Sequence, residues 1–307
     1  MLEDKTFQFV QEIGKLKKER NAVIMAHYYQ SREIQIIADF VGDSLELARK
    51  AAETSADVIV LCGVHFMAES AAILCPDKVV LLPDEKAGCP MADMVTLEAL
   101  QNVKSKMPEA VIVSYVNTSA AIKAESDICC TSANAVRIVE SIPLDKEILF
   151  LPDRNLGNYV MKQTGRQMAL WDGCCCVHDR HVAAADVIEA KKEHPNAIVL
   201  AHPECRPDLL SMADCVASTA GIIAYARQSL AKEFIVVTEA GILYQLHDAC
   251  PDKTFYLASE RMVCASMKRT TLEKVKHALE TMQPQVTVVS DIREKALHSL
   301  KRMLAVN

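Results

Sequence analysis

The chain has 307 residues, 50% hydrophobic and 24% charged, with a formal net charge of −6 at pH 7. That composition supplies a sizeable core and excludes a disordered chain. An acidic balance with no basic block also argues against nucleic acid as a partner. The apolar runs fall far short of the ~20 residues that span a bilayer. Met1–Arg20 is charged throughout and reads as an amphipathic helix without the apolar centre of a signal peptide. The expectation is a cytoplasmic protein with no membrane partner. Its twelve cysteines are then reduced thiols or metal ligands rather than disulfides.

Taken in order, the chain shows one unit three times. Arg20–His27, Pro108–Tyr115 and Pro195–His202 are short β-rich runs closing on a polar side chain, their ends 88 and 87 residues apart. That period fits a whole small α/β unit and exceeds a solenoid repeat. Asp39, Asp127 and Asp214 keep the same spacing and open second strands. Five residues on stand Ser44, Ser132 and Thr219, each after a capping-type residue (Asp43, Thr131, Ser218). They open helical patterns over Leu45–Glu53, Ala133–Ser141 and Ala220–Lys232. Third strands follow at Asp57–Cys62, Glu147–Leu151 and Glu233–Val237, and weaker fourth strands at Lys78–Leu82, Met168–Trp171 and Lys253–Leu257. A strand at Val286–Ser290 and a helix at Arg293–Leu304 complete the chain.

Strands alternating with helices predict an α/β fold: three similar three-layer α/β/α domains with short parallel sheets about a pseudo-threefold axis. The expected divisions are 1–104, 105–189 and 190–284, with the tail 285–307 returning to the first domain. Ligands of parallel α/β sheets lie outside the carboxyl ends of the strands, so three such ends would meet at one centre.

The run Trp171–His178 holds three consecutive cysteines, an arrangement that suits a metal site better than a disulfide framework. In register with it, Cys89 and Cys264 follow the other fourth strands at spacings of 86 and 89. Cys75 and Cys250 also match each other, but their middle counterpart is Met161. Only Cys89, one of Cys174–Cys176, and Cys264 offer a thiol in every copy. Spacing alone leaves open which of the three consecutive cysteines it is. Three thiolates on an iron–sulfur cubane leave one iron open to substrate as a Lewis acid. The cysteines inside strands (Cys62, Cys129, Cys130, Cys215) read as small buried hydrophobes.

The first-strand ends supply a second constellation: His27 and Tyr29, Tyr115 and Asn117, His202 and Glu204. These are the residue types of proton transfer and substrate orientation. The helix starts at Ser44, Ser132 and Thr219, with Ser218, would present N–H groups and positive dipole ends to an anion. Asp153 and Glu239 end third strands in register and could support the site from behind. The other histidines, His178 among them, do not repeat and are expected in surface or structural roles.

Several stretches are long enough to be specific. Ala26-His-Tyr-Tyr, Phe66-Met-Ala-Glu-Ser, Gly88-Cys-Pro-Met-Ala, Leu151-Pro-Asp-Arg-Asn-Leu-Gly, Trp171-x-Gly-x-Cys-x-Val-His, His202-Pro-Glu-Cys and Thr238-Glu-Ala-Gly-Ile together resemble the quinolinate synthase family over nearly the whole chain. The resemblance implies a three-domain enzyme of NAD biosynthesis. Such an enzyme condenses iminoaspartate with dihydroxyacetone phosphate to quinolinate, phosphate and two waters, in functional coupling with the enzyme that makes iminoaspartate. It implies a [4Fe–4S] cluster with one open iron on Cys89, Cys175 and Cys264, the motif selecting Cys175. It assigns catalytic roles to His27, Tyr29, Tyr115, His202 and Glu204, and substrate contacts to Ser44, Asn117, Ser132, Ser218 and Thr219. Tyr28, where Asn is common, and Ala265, where Pro commonly follows the cysteine, depart from the family pattern.

Overall fold

A computed structural model describes residues 2–306; Met1 and Asn307, the ends of the expected first and last segments, lie outside the described residues. Its strands form three separate four-stranded sheets. The first contains β1 (Ala22–His27), β2 (Phe40–Gly42), β3 (Val58–Cys62) and β4 (Val79–Leu81). The second contains β5 (Val111–Tyr115), β6 (Ile128–Cys130), β7 (Ile148–Leu151) and β8 (Ala169–Leu170). The third contains β9 (Ile198–Ala201), β10 (Cys215–Val216), β11 (Glu233–Val237) and β12 (Thr254–Leu257). Each sheet has the same order, β2-β1-β3-β4 or its equivalent, and every pairing is parallel. The central strands are Val/Ile-rich and buried on both faces, as parallel sheets between helices require.

The repeated aspartates have a structural reason. Asp39, Asp127 and Asp214 each use Oδ2 to accept the backbone N–H of Ile24, Ile112 or Val199, at 2.8, 2.7 and 2.8 Å. The N–H of each aspartate returns a bond to the carbonyl of the same residue. One side chain thus docks the approach to the second strand onto the first. The Cys75 and Cys250 match is likewise structural. Both end helices as C-caps, and the Cys75 thiol donates to the Ala51 carbonyl.

The structure differs from several expectations. The divisions at 104/105 and 189/190 fall inside the helices Leu97–Lys106 and Ala184–Glu193. These helices send Leu100, and Val187 with Ala190, into the cores of the sheets that follow them. The helix Leu272–Thr281, expected in the third domain, packs Leu272, Val275, Ala278 and Leu279 against Ile13, Ile24 and Val60 of the first. The middle helix opens at Ala135, not near Ser132, because Asn134 Oδ1 takes the N–H of Thr131 and holds residues 131–134 as a turn. The strand at Val286–Ser290 reduces to one antiparallel bridge, Leu81 to Gln285, at the edge of β4. The helix Ser290–Ala305 then packs chiefly on the helix Ala120–Ala124 and β6 of the second unit, and less on the helix His65–Leu74 of the first. One large apolar cluster takes residues from all three units, with three smaller clusters beside it.

Candidate active site

Residues at or just past the carboxyl ends of β1, β5 and β9 line one cavity between the three units. Every residue singled out for the site lines it except Ser218, whose Oγ instead caps its own helix by accepting the Gly221 N–H at 3.2 Å.

The three thiols occupy equivalent settings. Cys89 and Cys264 precede short 3-10 turns, and Cys175 caps the helix Cys176–Arg180. Backbone N–H groups point at each sulfur: those of Met91 and Ala92 at Cys89, His178 at Cys175, and Ser266 and Met267 at Cys264. Two of the turns are anchored from behind. Asp153 Oδ2 accepts the Cys175 N–H and Glu239 Oε1 accepts the Cys264 N–H, both at 3.0 Å. This shared anchor makes Cys175 the counterpart of Cys264. Cys174 does not line the cavity; its surroundings are Asp179 and Arg154. Cys176 lines the cavity without such an anchor. Burial raises all three in-register thiols, Cys89 to about 12, so thiolates form here only against a cation.

The strand ends place their polar groups by a common turn. The Tyr29 N–H donates to His27 Nδ1 at 3.1 Å, and the Glu204 N–H to His202 Nδ1 at 3.3 Å. With Nδ1 an acceptor, each ring carries its proton on Nε2, and His202 Nε2 meets Ser132 Oγ at 3.1 Å. Burial pushes both histidines down to about 3, so they are neutral N–H donors rather than cations.

Glu204 is a buried charge at the centre of the network. Burial disfavours its ionised form, yet His178, His202 and the Tyr115 hydroxyl hold its pKa at about 2. Since His202 is neutral, we ascribe the hold mainly to the donors, with His178 Nδ1 only 2.7 Å from Glu204 Oε2. Burial and Glu204 raise Tyr115 and Tyr29 well above the ordinary tyrosine value, so both keep their protons.

His178 corrects the sequence reading, which placed it at the surface or in a structural role. It is buried, stacks on His202 with ring centroids 4.7 Å apart, and reaches Cys175 Sγ at 3.3 Å through Nδ1. Cys175, His178 and Glu204 bring one ligand atom each within 4.8 Å of one another. The signal for it in the sequence is its place one helical turn after Cys175, which has no counterpart in the other two copies.

The anion site at the helix starts also changes. Asp43 accepts the Leu45 and Glu46 N–H groups of its own helix and the Ala220 N–H of the helix Thr219–Gln228. A protein carboxylate therefore already takes part of the N–H set at two helix starts, and the third is a turn. What faces the cavity is the set Ser44, Ser132 and Thr219, with Asn117, whose buried Oδ1 has no partner among the described residues.

Nor is any helix among the described residues long and apolar enough to cross a membrane. The family model of the quinolinate synthetase A protein matches residues 11–305. A protein of Desulforudis audaxviator named quinolinate synthase is 57% identical over 97% of this chain and 98% of its own length. Those of Methanosarcina barkeri and Geobacter metallireducens, of the same name, are 55% and 56% identical over 97% and 96% of this chain, and 98% and 97% of their own lengths. The family match spans all three units and every turn that lines the cavity, and the chain belongs to the quinolinate synthase family of enzymes.

Proposed function

We propose that this enzyme condenses iminoaspartate with dihydroxyacetone phosphate, releasing phosphate and two waters and giving quinolinate for de novo NAD biosynthesis. The observation that carries the reading is the convergence of three in-register thiols and the buried Glu204–His178–Tyr115 network on one cavity, in a chain of this family. The reading places the enzyme in the cytoplasm, coupled in function to the enzyme that makes iminoaspartate.

The donor set fits a [4Fe–4S] cluster. Cys89, Cys175 and Cys264 come from three units, each with N–H groups on its sulfur, and soft thiolates select iron–sulfur chemistry. Bound by three thiolates, such a cluster supplies a Lewis-acidic iron without a protein ligand. The neutral His27 ring donates Nε2–H to a carbonyl or carboxylate oxygen of the substrate, and His202, whose Nε2–H meets Ser132 Oγ at 3.1 Å, turns the Ser132 hydroxyl proton toward it. Glu204 receives protons from substrate carbon or nitrogen, and Tyr115 and His178 support it by hydrogen bonds. Ser44 and Ser132 bind phosphate or the two carboxylates through their hydroxyl protons, Thr219 lies beside them with its own proton on Tyr29 Oη, and Asn117 turns its unpartnered oxygen to a donor. Asp43, held at a pKa of about 6 by burial, sits among these hydroxyls and favours a ligand group that can donate to it.

A second reading has one observation behind it: Cys175, His178 and Glu204 alone could hold a single divalent ion. It leaves Cys89 and Cys264 without a role. Metal analysis separates the two, since iron with equal sulfide supports the cluster and one zinc per chain supports the single ion.

The test is product formation by anaerobic protein given dihydroxyacetone phosphate and iminoaspartate generated in place. Quinolinate and phosphate should appear in equal amounts, and Glu204→Gln should keep its iron while losing turnover. Iron-replete protein that yields no quinolinate would sink the reading.

A further inference from the structure

Thr238, in the stretch Thr238-Glu-Ala-Gly-Ile, has no role in the chemistry above. It follows β11 directly, is completely buried, and its Oγ1 stands 2.8 Å from Tyr29 Oη and 2.8 Å from His178 Nε2. One hydroxyl of the third unit thus joins a tyrosine of the first to a histidine of the second. The chain of contacts continues at both ends. Thr219 Oγ1 donates to Tyr29 Oη at 3.1 Å, and His178 Nδ1 lies 2.7 Å from Glu204 Oε2.

The direction of these bonds follows from counting protons. A hydroxyl has one proton to give and lone pairs to receive. Facing the Glu204 carboxylate at 2.7 Å, His178 Nδ1 carries a ring proton, and the row assigned here takes Nε2 as the acceptor. Thr238 must then donate to His178, and its lone pair must receive the Tyr29 proton. The row runs one way: Thr219 to Tyr29 to Thr238 to His178 to Glu204. Tyr29 spends its proton inside the protein and offers only lone pairs to the cavity.

We propose that Thr238 is a positioning residue, whose hydroxyl fixes the hydrogen-bond sense of Tyr29 and His178. It holds the His178 N–H on Glu204 and makes Tyr29 an acceptor for a substrate hydroxyl or N–H. The inference rests on the functional reading above. A valine keeps the shape of Thr238 and deletes both bonds, while a serine keeps them.

The experiment compares iron-replete wild type, Thr238→Val and Thr238→Ser. Measured are kcat, KM for dihydroxyacetone phosphate, quinolinate affinity by equilibrium dialysis, iron content, Tm and the histidine ¹⁵N spectra of the full chain. Losing two neutral hydrogen bonds, each worth up to about tenfold, should lower kcat of the valine variant on the order of 10²-fold. KM, quinolinate affinity and iron content should stay within about threefold, and serine should restore most of kcat. The ¹⁵N spectra should show His178 with its proton on Nδ1 in wild type and a mixture of tautomers in the valine variant. Valine turnover within about threefold of wild type, serine as impaired as valine, or a loss explained by lower Tm or iron would overturn the proposal. Wild type that makes no quinolinate would refute the functional reading instead, and the ¹⁵N spectra would still decide the role of Thr238.

Discussion

Changing Glu239 to Gln tests how firmly the third thiol is held. Glu239 is fully buried. Its Oε1 accepts the Cys264 N–H at 3.0 Å and its Oε2 the Gly241 N–H at 2.7 Å. Lys268 pairs with Oε1 at 2.9 Å and also donates to the Tyr29 carbonyl of the first unit. A glutamine offers one oxygen and one NH₂, so one of the two backbone N–H groups must face a donor. A buried orphan donor costs about 1–3 kcal/mol, and loss of charge on the remaining bond adds about 1 kcal/mol. The Lys268 side chain is 27% exposed and regains water, so its lost pair adds little. The sum is about 3 kcal/mol, or roughly 6–12 °C in Tm at about 2–4 °C per kcal/mol. The same substitution frees the Cys264 turn, so iron per chain should fall as well. A thermal melt and an iron assay on one sample check both. A variant that melts within about 2 °C of wild type and keeps full iron would refute the anchoring role.

Two further outcomes follow from the same geometry. Cys174→Ala should keep the metal and the turnover, because that thiol lies off the cavity beside Asp179, whereas Cys175→Ala should lose both; iron analysis of the pair decides it. His27, held at about 3 against 6.5 for an ordinary histidine, takes up its proton only on unfolding. Its stabilisation is therefore full above pH 6.5 and lost as pH falls toward 3. At about 1.4 kcal/mol per pH unit, wild type should lose about 2 kcal/mol more than His27→Gln between pH 6.5 and 5. Equal losses in denaturant melts of the two proteins would show that His27 is not held neutral.

What was legible in the sequence was whatever repeats. Asp39, Asp127 and Asp214 each dock the same two strands, so their spacing marked the three sheets and their register. The thiols and strand-end polar groups were visible for the same reason, and all of them line the cavity. The reading failed where one copy departs from the others. His178 has no counterpart, because only the second unit sends a helix from its thiol into the cavity. Ser132 begins no helix, because the Asn134 side chain takes over the turn. Thr238 was invisible as a site residue because its partners Tyr29 and His178 lie 209 and 60 residues away in other units. The division points were displaced because the helix before each first strand belongs to the sheet that follows it.

The central claim is that three units hold one iron–sulfur site at their junction and that this site makes quinolinate. Iron, sulfide and quinolinate formation measured on one anaerobic preparation test it most directly. The account predicts about four irons and four sulfides per chain, with turnover rising and falling with that content. Full turnover in protein free of iron and sulfide would contradict it.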